Sequence, residues 1–268
     1  MMTDFEIETA LKSAGEGLWS GQVSGKWNIG DAPNGGYLVC IVMQAIRQLS
    51  PQHQDPLTVT SHYLRPGIPD APCEVSAEIL RVGRTVSTTR ATLSQEGKSR
   101  LEVLAGFGDL SHSSGNDSPS LLIPAPQMPP PDECPERSAE EQGVDLPLLE
   151  RLDIRIHPDQ VKAASAGDAK VSGWIRLADG QSPDSLTTVL FADAFPPSVF
   201  GVLGNIGWAP TLELTVHVRR RPSSGWVLGQ LHTRDLEDGR MIEDGYLWDS
   251  NGELLAQSRQ MALLLARS

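Results

Sequence analysis

The spacing of apolar positions changes character several times along the chain. In "GGYLVCIVMQAIRQL" (35 to 49) the residues from Tyr37 to Ile46 are apolar nearly all round, as in a helix buried on most sides. "FADAFPPSVFGVLG" (191 to 204) reads as its counterpart. Proline fits only the first turn of a helix, so Pro196 and Pro197 predict a start close to Asp193. After each helical stretch the period becomes two. "TLELTVHV" (211 to 218) alternates cleanly, and "GWVLGQLHTRDL", "MIEDGYLW" and "LLAQSRQMALL" follow with turns between them. Asn251-Gly252 predicts a tight turn before the last strand, since Asn-Gly supplies the positive φ that such turns need. One central helix followed by an antiparallel meander, twice over, is an α+β layout with a sheet curling round each helix.

Two details sharpen this pattern. The last strand places Gln260 in a row with Ala256, Ser258, Ala262 and Leu264, where a solvent face would more naturally show Lys or Glu. Thr211 alternates with Glu213, Thr215 and His217, a polar row opposite Leu212, Leu214 and Val216, so alternation alone puts it on the outer face.

Between Ser111 and about Leu146 the periodicity disappears. Pro124, Pro126, Pro129, Pro130, Pro131 and Pro135 favour extended geometry and cannot join a sheet interior, which marks a linker with little to bury. The expected organisation is a first domain over 1–111, a linker over 112–146 and a second domain over 147–268. The halves repeat one another: "SHYLRPG" (61 to 67) matches "TVHVRRRPS" (215 to 223), and Gly83-Arg84 and Gly239-Arg240 follow Pro66 and Pro222 at the same spacing. Gly97 follows Pro66 by 31 residues and Gly252 follows Pro222 by 30. The repeat register carries Asp193 to Gly36, Thr211 to about Pro56 and Gln260 to about Ala105.

Composition narrows the choice of partners. Of 268 residues 39% are hydrophobic, enough for a packed core, and the net charge of −12 argues against nucleic acid and anionic membrane. No apolar run reaches the roughly 18 residues of a membrane span, and the start shows no secretory signal, so a cytoplasmic location is expected. Three cysteines without CxxC spacing speak against a disulfide framework or a zinc site. The dense basic cluster Arg219-Arg220-Arg221 reads either as a solvated strand end or as a contact for a phosphorylated small molecule.

The two-repeat pattern resembles the double-hotdog acyl-CoA thioesterases of the thioesterase II type. The carriers are Asn34-Gly35-Gly36, "HYLRPG" (62 to 67) and "VGRTVSTTRATLSQEGK" (82 to 98) in the first half. In the second half they are "FADAF" (191 to 195), "TLELTVHVRRRP" (211 to 222) and "AQSRQ" (256 to 260). The resemblance implies a double hotdog fold, an acyl-CoA substrate, no cofactor and no metal. It leaves room for a homo-oligomer through the hotdog sheets, and it implies a catalytic trio of Asp193, Thr211 and Gln260. Some relatives carry a His where this chain has Thr60; His62 is displaced by two positions and is expected to be a partly buried structural residue.

A thioester needs a positioned water, a proton acceptor and oxyanion donors. Asp193 would orient or deprotonate the water, Thr211 and Gln260 would hold it, and a helix-start N–H would supply a donor. Gly35 and Gly36 would let backbone approach the ligand closely, with Arg219, Arg220 and Arg221 as further substrate contacts. Each residue has a plainer reading: Asp193 as a helix cap, Thr211 and Gln260 as exposed strand residues. Without a GxSxG elbow a serine-hydrolase mechanism is disfavoured. The rivals are a hotdog hydratase or dehydratase, which would want a helical His, and an acyl-CoA-binding module without turnover.

Overall fold

The computed structural model describes residues 2–111, 121–165, 167–204 and 209–264. Its helices are α1 (Asp4–Glu8), α2 (Gly35–Leu49), α3 (Ala139–Gln142), α4 (Ser185–Phe191) and α5 (Phe200–Leu203). The first half contributes strands β1 (Lys12–Gly15), β2 (Leu18–Gln22), β3 (Asn28–Ile29), β4 (Ala32–Pro33), β5 (Asp55–Tyr63), β6 (Pro72–Val82), β7 (Ser87–Gln95) and β8 (Lys98–Gly108). The second contributes β9 (Leu152–Ile156), β10 (Lys170–Leu177), β11 (Thr211–Val218), β12 (Val227–Glu237), β13 (Arg240–Trp248) and β14 (Leu254–Leu263).

Twelve of these strands form one antiparallel sheet in the order β1-β2-β6-β7-β8-β5-β11-β14-β13-β12-β10-β9. The order reads the same from either edge once the halves are exchanged, so the duplication seen in the sequence is a pseudo-two-fold of the fold. The axis passes between Thr60 and Thr215, which face each other across β5 and β11 with their hydroxyls 3.0 Å apart. The sheet wraps α2 and α4, which pack on each other at its centre. Val39, Cys40, Val42 and Met43 on α2 are fully buried, as the all-round apolar pattern requires.

The second helix corrects the sequence expectation. It begins at Ser185, where Asp184 forms a capping box and accepts from the Leu186 and Thr187 N–H groups. Pro196 and Pro197 follow the helix rather than open it. Asp193 therefore lies in the turn after α4, and the capping role that Asp193 could have filled belongs to Asp184. Asn34 caps α2 in the same way, accepting from the Tyr37 N–H. The two caps are 150 positions apart, whereas Thr60 and Thr215 are 155 apart. The second half thus spends extra residues between helix and strand, and Asp193 is not the counterpart of Gly36.

The strand equivalences hold. Leu214, Gln260 and Glu243 pair across β11, β14 and β13 as Val59, Ala105 and Thr89 pair across β5, β8 and β7. Matching irregularities fall at Thr211/Glu213 and Pro56/Thr58, which sets Thr211 opposite Pro56 in the repeat. Two-residue turns with positive φ at both residues occur at Glu96-Gly97 and Asp238-Gly239. The Asn251-Gly252 turn is different. Asp249 organises a five-residue loop by accepting from the Asn251 and Glu253 N–H groups, and only Gly252 has positive φ.

The linker also differs from expectation. Residues 112–120 lie outside the described residues. Residues 121–130 have no regular structure and are draped, with the Ile123 and Pro129 carbonyls accepting from the Trp248 and Trp174 indoles. From Pro131 onward the chain is folded in. Glu136 bridges to Arg155 on β9, and Cys134, Arg137, Gln142, Leu146 and Leu148 are all buried. A run of prolines predicts where a strand cannot form, not whether its flanking side chains are buried.

Candidate active site

A cavity of about 190 Å³ opens where the start of α2, the turn after α4 and the strands β11 to β14 converge. Its wall combines apolar side chains, among them Leu38, Phe195, Leu231 and Met241, with Asp193, Thr211, Glu243 and Gln260. The three residues of the expected trio are thus brought together, on three separate elements.

Asp193 is held by the other half of the chain. Its Oδ2 accepts from the Gly36 N–H at 2.7 Å and from Asn34 Nδ2 at 3.1 Å, and its carbonyl accepts from Asn34 Nδ2 at 2.8 Å. Asn34 does two things at once: its oxygen caps α2 while its amide fixes Asp193. Oδ1 has no donor among the described residues. Burial raises the Asp193 carboxyl to about 7, and the negative charge of Glu243 adds to this; the Gly36 N–H, Asn34 and the Arg137 guanidinium oppose it. A carboxylate tuned to that value can exchange protons near neutral pH.

The glycines explain the approach. A Cβ on Gly36 would sit 3.0 Å from Asp193 Cβ and 3.1 Å from the Leu190 backbone. On Gly35 it would sit 2.8 Å from the Tyr63 ring and hydroxyl. Both glycines line or support the cavity, and the close contact they permit is between protein elements.

Thr211 reaches the cavity through a bulge. It pairs with Ala262, and Glu213 with the adjacent Met261, so Leu212 is an extra residue that resets the alternation. Leu212 is 39% exposed at the cavity's edge, and Thr211 lines the cavity with Gln260. Its hydroxyl donates to Gln260 Oε1 at 2.9 Å. Gln260 in turn donates through Nε2 to Glu243 Oε1 at 2.6 Å, and Glu243 Oε2 accepts from the Ser198 N–H at 2.6 Å. Gln260 is buried and lines the cavity, not exposed as its plainer reading had it.

Glu243, Arg137 and Tyr63 are functional candidates that the sequence reading missed. Glu243 is 1% exposed, and burial pushes its carboxyl up despite the Ser198 and Gln260 donors. Its signal was legible: it shares a strand face with Met241, Gly245 and Leu247, all buried, and a carboxylate in such a row needs a reason. Arg137 carried no signal. It is buried beside Asp193, donates to the Ala194 carbonyl at 2.6 Å and to Gln142 Oε1, and burial lowers its guanidinium to about 9. It steadies the turn that carries Asp193.

Arg219, Arg220 and Arg221 do not reach this cavity. They follow the far end of β11, about 25 Å along the strand from Thr211. Arg221 forms a two-pronged pair with Asp55 at 2.8 to 3.1 Å, and Arg220 pairs with Glu253. The arginine at the cavity mouth is Arg65. His62 is exposed on β5 rather than partly buried, and no histidine lines the cavity among the described residues.

Comparison with known proteins identifies the family. A family model described as "Acyl-CoA thioesterase C-terminal domain" matches residues 131–264, and one described as "Acyl-CoA thioesterase N-terminal domain" matches residues 23–108. The chain belongs to the acyl-CoA thioesterase family. It is 30% identical to a thioesterase II candidate from Thermobifida fusca, whose crystal structure superposes with a TM-score of 0.87 over 98% of both chains. A hot dog fold protein of unknown function from Alicyclobacillus acidocaldarius, 22% identical, superposes with a TM-score of 0.85 over 100% of both chains, which shows the fold. An uncharacterized Mycobacterium tuberculosis protein is 26% identical over 93% of this chain and 92% of its own. The fold is accordingly a double hotdog. No helix among the described residues is long and apolar enough to cross a membrane.

Proposed function

We propose that this thioesterase-family protein hydrolyses acyl-CoA to a free carboxylic acid and CoA by attack of water on the thioester. One observation carries the reading: a carboxylate raised to about 7 at the cavity wall, with Thr211 and Gln260 linked on the facing strands. Asp193 takes a proton from water as the water oxygen bonds to the carbonyl carbon and the C=O electron pair moves onto oxygen. Collapse of that adduct re-forms the carbonyl, breaks the C–S bond and returns the proton to the departing sulfur. The Thr211 hydroxyl donates to Gln260, so its lone pairs and the second Gln260 N–H are the groups available to hold the water.

The apolar part of the wall suits an acyl chain. A hydratase mechanism finds no support, because no histidine lines the cavity among the described residues. The test is thiol release from CoA esters spanning acetyl to palmitoyl, without added metal or cofactor. Release with at least one chain length is expected. No release from any of them, together with hydration of a trans-enoyl-CoA, would transfer the site to the lyases.

A further inference from the structure

The adduct formed during hydrolysis carries a negative oxygen, and hydrogen-bond donors aimed at it supply much of the rate enhancement in acyl transfer. The side-chain donors described so far, and the Gly36 N–H, are engaged elsewhere. The Gly36 N–H and the Asn34 amide point at Asp193, the Thr211 hydroxyl points at Gln260, and one Gln260 amide hydrogen points at Glu243, leaving the other for the water. Among the described residues, one cavity-lining side chain has a fully buried polar atom without any partner: Tyr63, through its hydroxyl.

Its position is specific. Tyr63 ends β5, and its Cε1, Cζ and hydroxyl oxygen lie against Gly35, all 2.8 Å from where a Cβ would stand. Gly35 is the first residue of the 15-residue α2, whose opening N–H groups have no intrahelical acceptors and whose dipole favours negative charge at that end. Asp193 is bound one residue further on, at Gly36. The phenol and the proposed base thus flank the same helix start. Resting on the thioesterase reading above, we infer that the Tyr63 hydroxyl donates a hydrogen bond to the acyl carbonyl oxygen and stabilises the oxyanion that forms there. The proton stays on tyrosine throughout: burial, with the charges of Asp193, Cys40 and Glu213, holds the phenol well above its usual range. Tyr63 therefore keeps its proton, and stays a donor, near the neutral pH at which Asp193 begins to work as a base.

A merely structural tyrosine predicts something different. A buried hydroxyl without a partner weakens the free protein, so a structural Tyr63 replaced by Phe would fold as well and work as well. The experiment is Tyr63→Phe, which keeps the ring against Gly35. The expected result is a kcat lower by about 10²- to 10³-fold, the loss typical of a deleted oxyanion donor, with KM little changed and a melting temperature equal or higher. A kcat within about twofold of wild type would overturn the inference. An independent readout needs no turnover: infrared spectra of a carbonyl-¹³C acyl-CoA bound to Asp193→Asn and to the Asp193→Asn/Tyr63→Phe double variant. The thioester carbonyl band should move to lower frequency in the first and lose that displacement in the second. Equal frequencies would overturn the inference. If wild type releases no thiol from any acyl-CoA, the thioesterase reading itself falls and the Tyr63 role falls with it. An active wild type with an unaffected Tyr63→Phe removes only the tyrosine.

Discussion

The backbone N–H of Gly36 donates to Asp193 Oδ2 at 2.7 Å, and the two residues belong to opposite halves of a duplicated chain. The candidate base is therefore not a property of the second half alone. The first half supplies the helix start that binds it, and the second half supplies the turn that carries it. The pseudo-two-fold does not copy this arrangement: Pro56, Ala105 and Thr89 occupy the positions equivalent to Thr211, Gln260 and Glu243. One chain has one such site among the described residues.

Asp193→Asn should keep the shape of the site and remove the proton acceptor. Loss of a general base typically costs about 10²- to 10⁴-fold in rate. Because the carboxyl of the wild type titrates at about 7, kcat/KM should rise with pH through that value and level off above it. The variant should show neither the rate nor that limb. A folded Asp193→Asn protein with near-normal turnover would leave Asp193 only its structural contacts.

The same substitution should stabilise the fold at alkaline pH. In the unfolded chain an Asp carboxyl ionises at about 3.9, whereas here it holds its proton up to about 7. Between those values the native state binds more protons, so the Asp193 contribution to stability falls as pH rises through the window and stays low above it. Allowing for its partial opening to the cavity, the gain for Asp193→Asn at pH 8 should be roughly 1–3 kcal/mol and should shrink toward pH 5. Urea denaturation at the two pH values measures it. An equal gain at both would mean that the charge is not what burial penalises.

Glu243→Gln tests the support behind Gln260. Both Glu243 oxygens accept, one from Gln260 Nε2 and one from the Ser198 N–H, and an amide cannot serve both donors. Gln260 should lose its fixed orientation, lowering kcat by about tenfold, equivalent to ~1.4 kcal/mol and within the net range of one hydrogen bond. Removing the negative charge that helps raise Asp193 should also move the ascending limb of the pH–rate profile to lower pH. A limb that moves upward would contradict the sign of that interaction.

Gly36→Ala sets helix propensity against packing. Alanine at a helical position gains up to about 1 kcal/mol over glycine. Its Cβ would press on Asp193 Cβ at 3.0 Å and on the Leu190 backbone at 3.1 Å, and overpacking against backbone costs roughly 1–3 kcal/mol. The net change should be a modest destabilisation with a larger loss of activity, because the displaced group is Asp193. Chemical denaturation and steady-state turnover, run on the same preparation, separate the two. A more stable variant with full activity would show that α4 yields freely.

The sequence alone determined the duplication, the α+β layout and the buried α2, because each is written in local periodicity and in turn residues at matched spacing. Tertiary structure decided the rest. Pro196 and Pro197 pointed to a helix opening at Asp193, yet the stronger signal was the Asp184 capping box, and the prolines only prevent the helix from continuing. Alternation put Thr211 on the outer face, and the bulge at Leu212 put it inside; a bulge is fixed by pairing with β14, a partner 49 residues away, and leaves no trace in the strand's own pattern. The raised carboxyl of Asp193 is tertiary in the same sense. It comes from burial beside Glu243, 50 positions on, against donors from Asn34 and Gly36 more than 150 positions back. Periodicity reports which face of an element is apolar. The chemistry of this site depends on which faces from both halves meet.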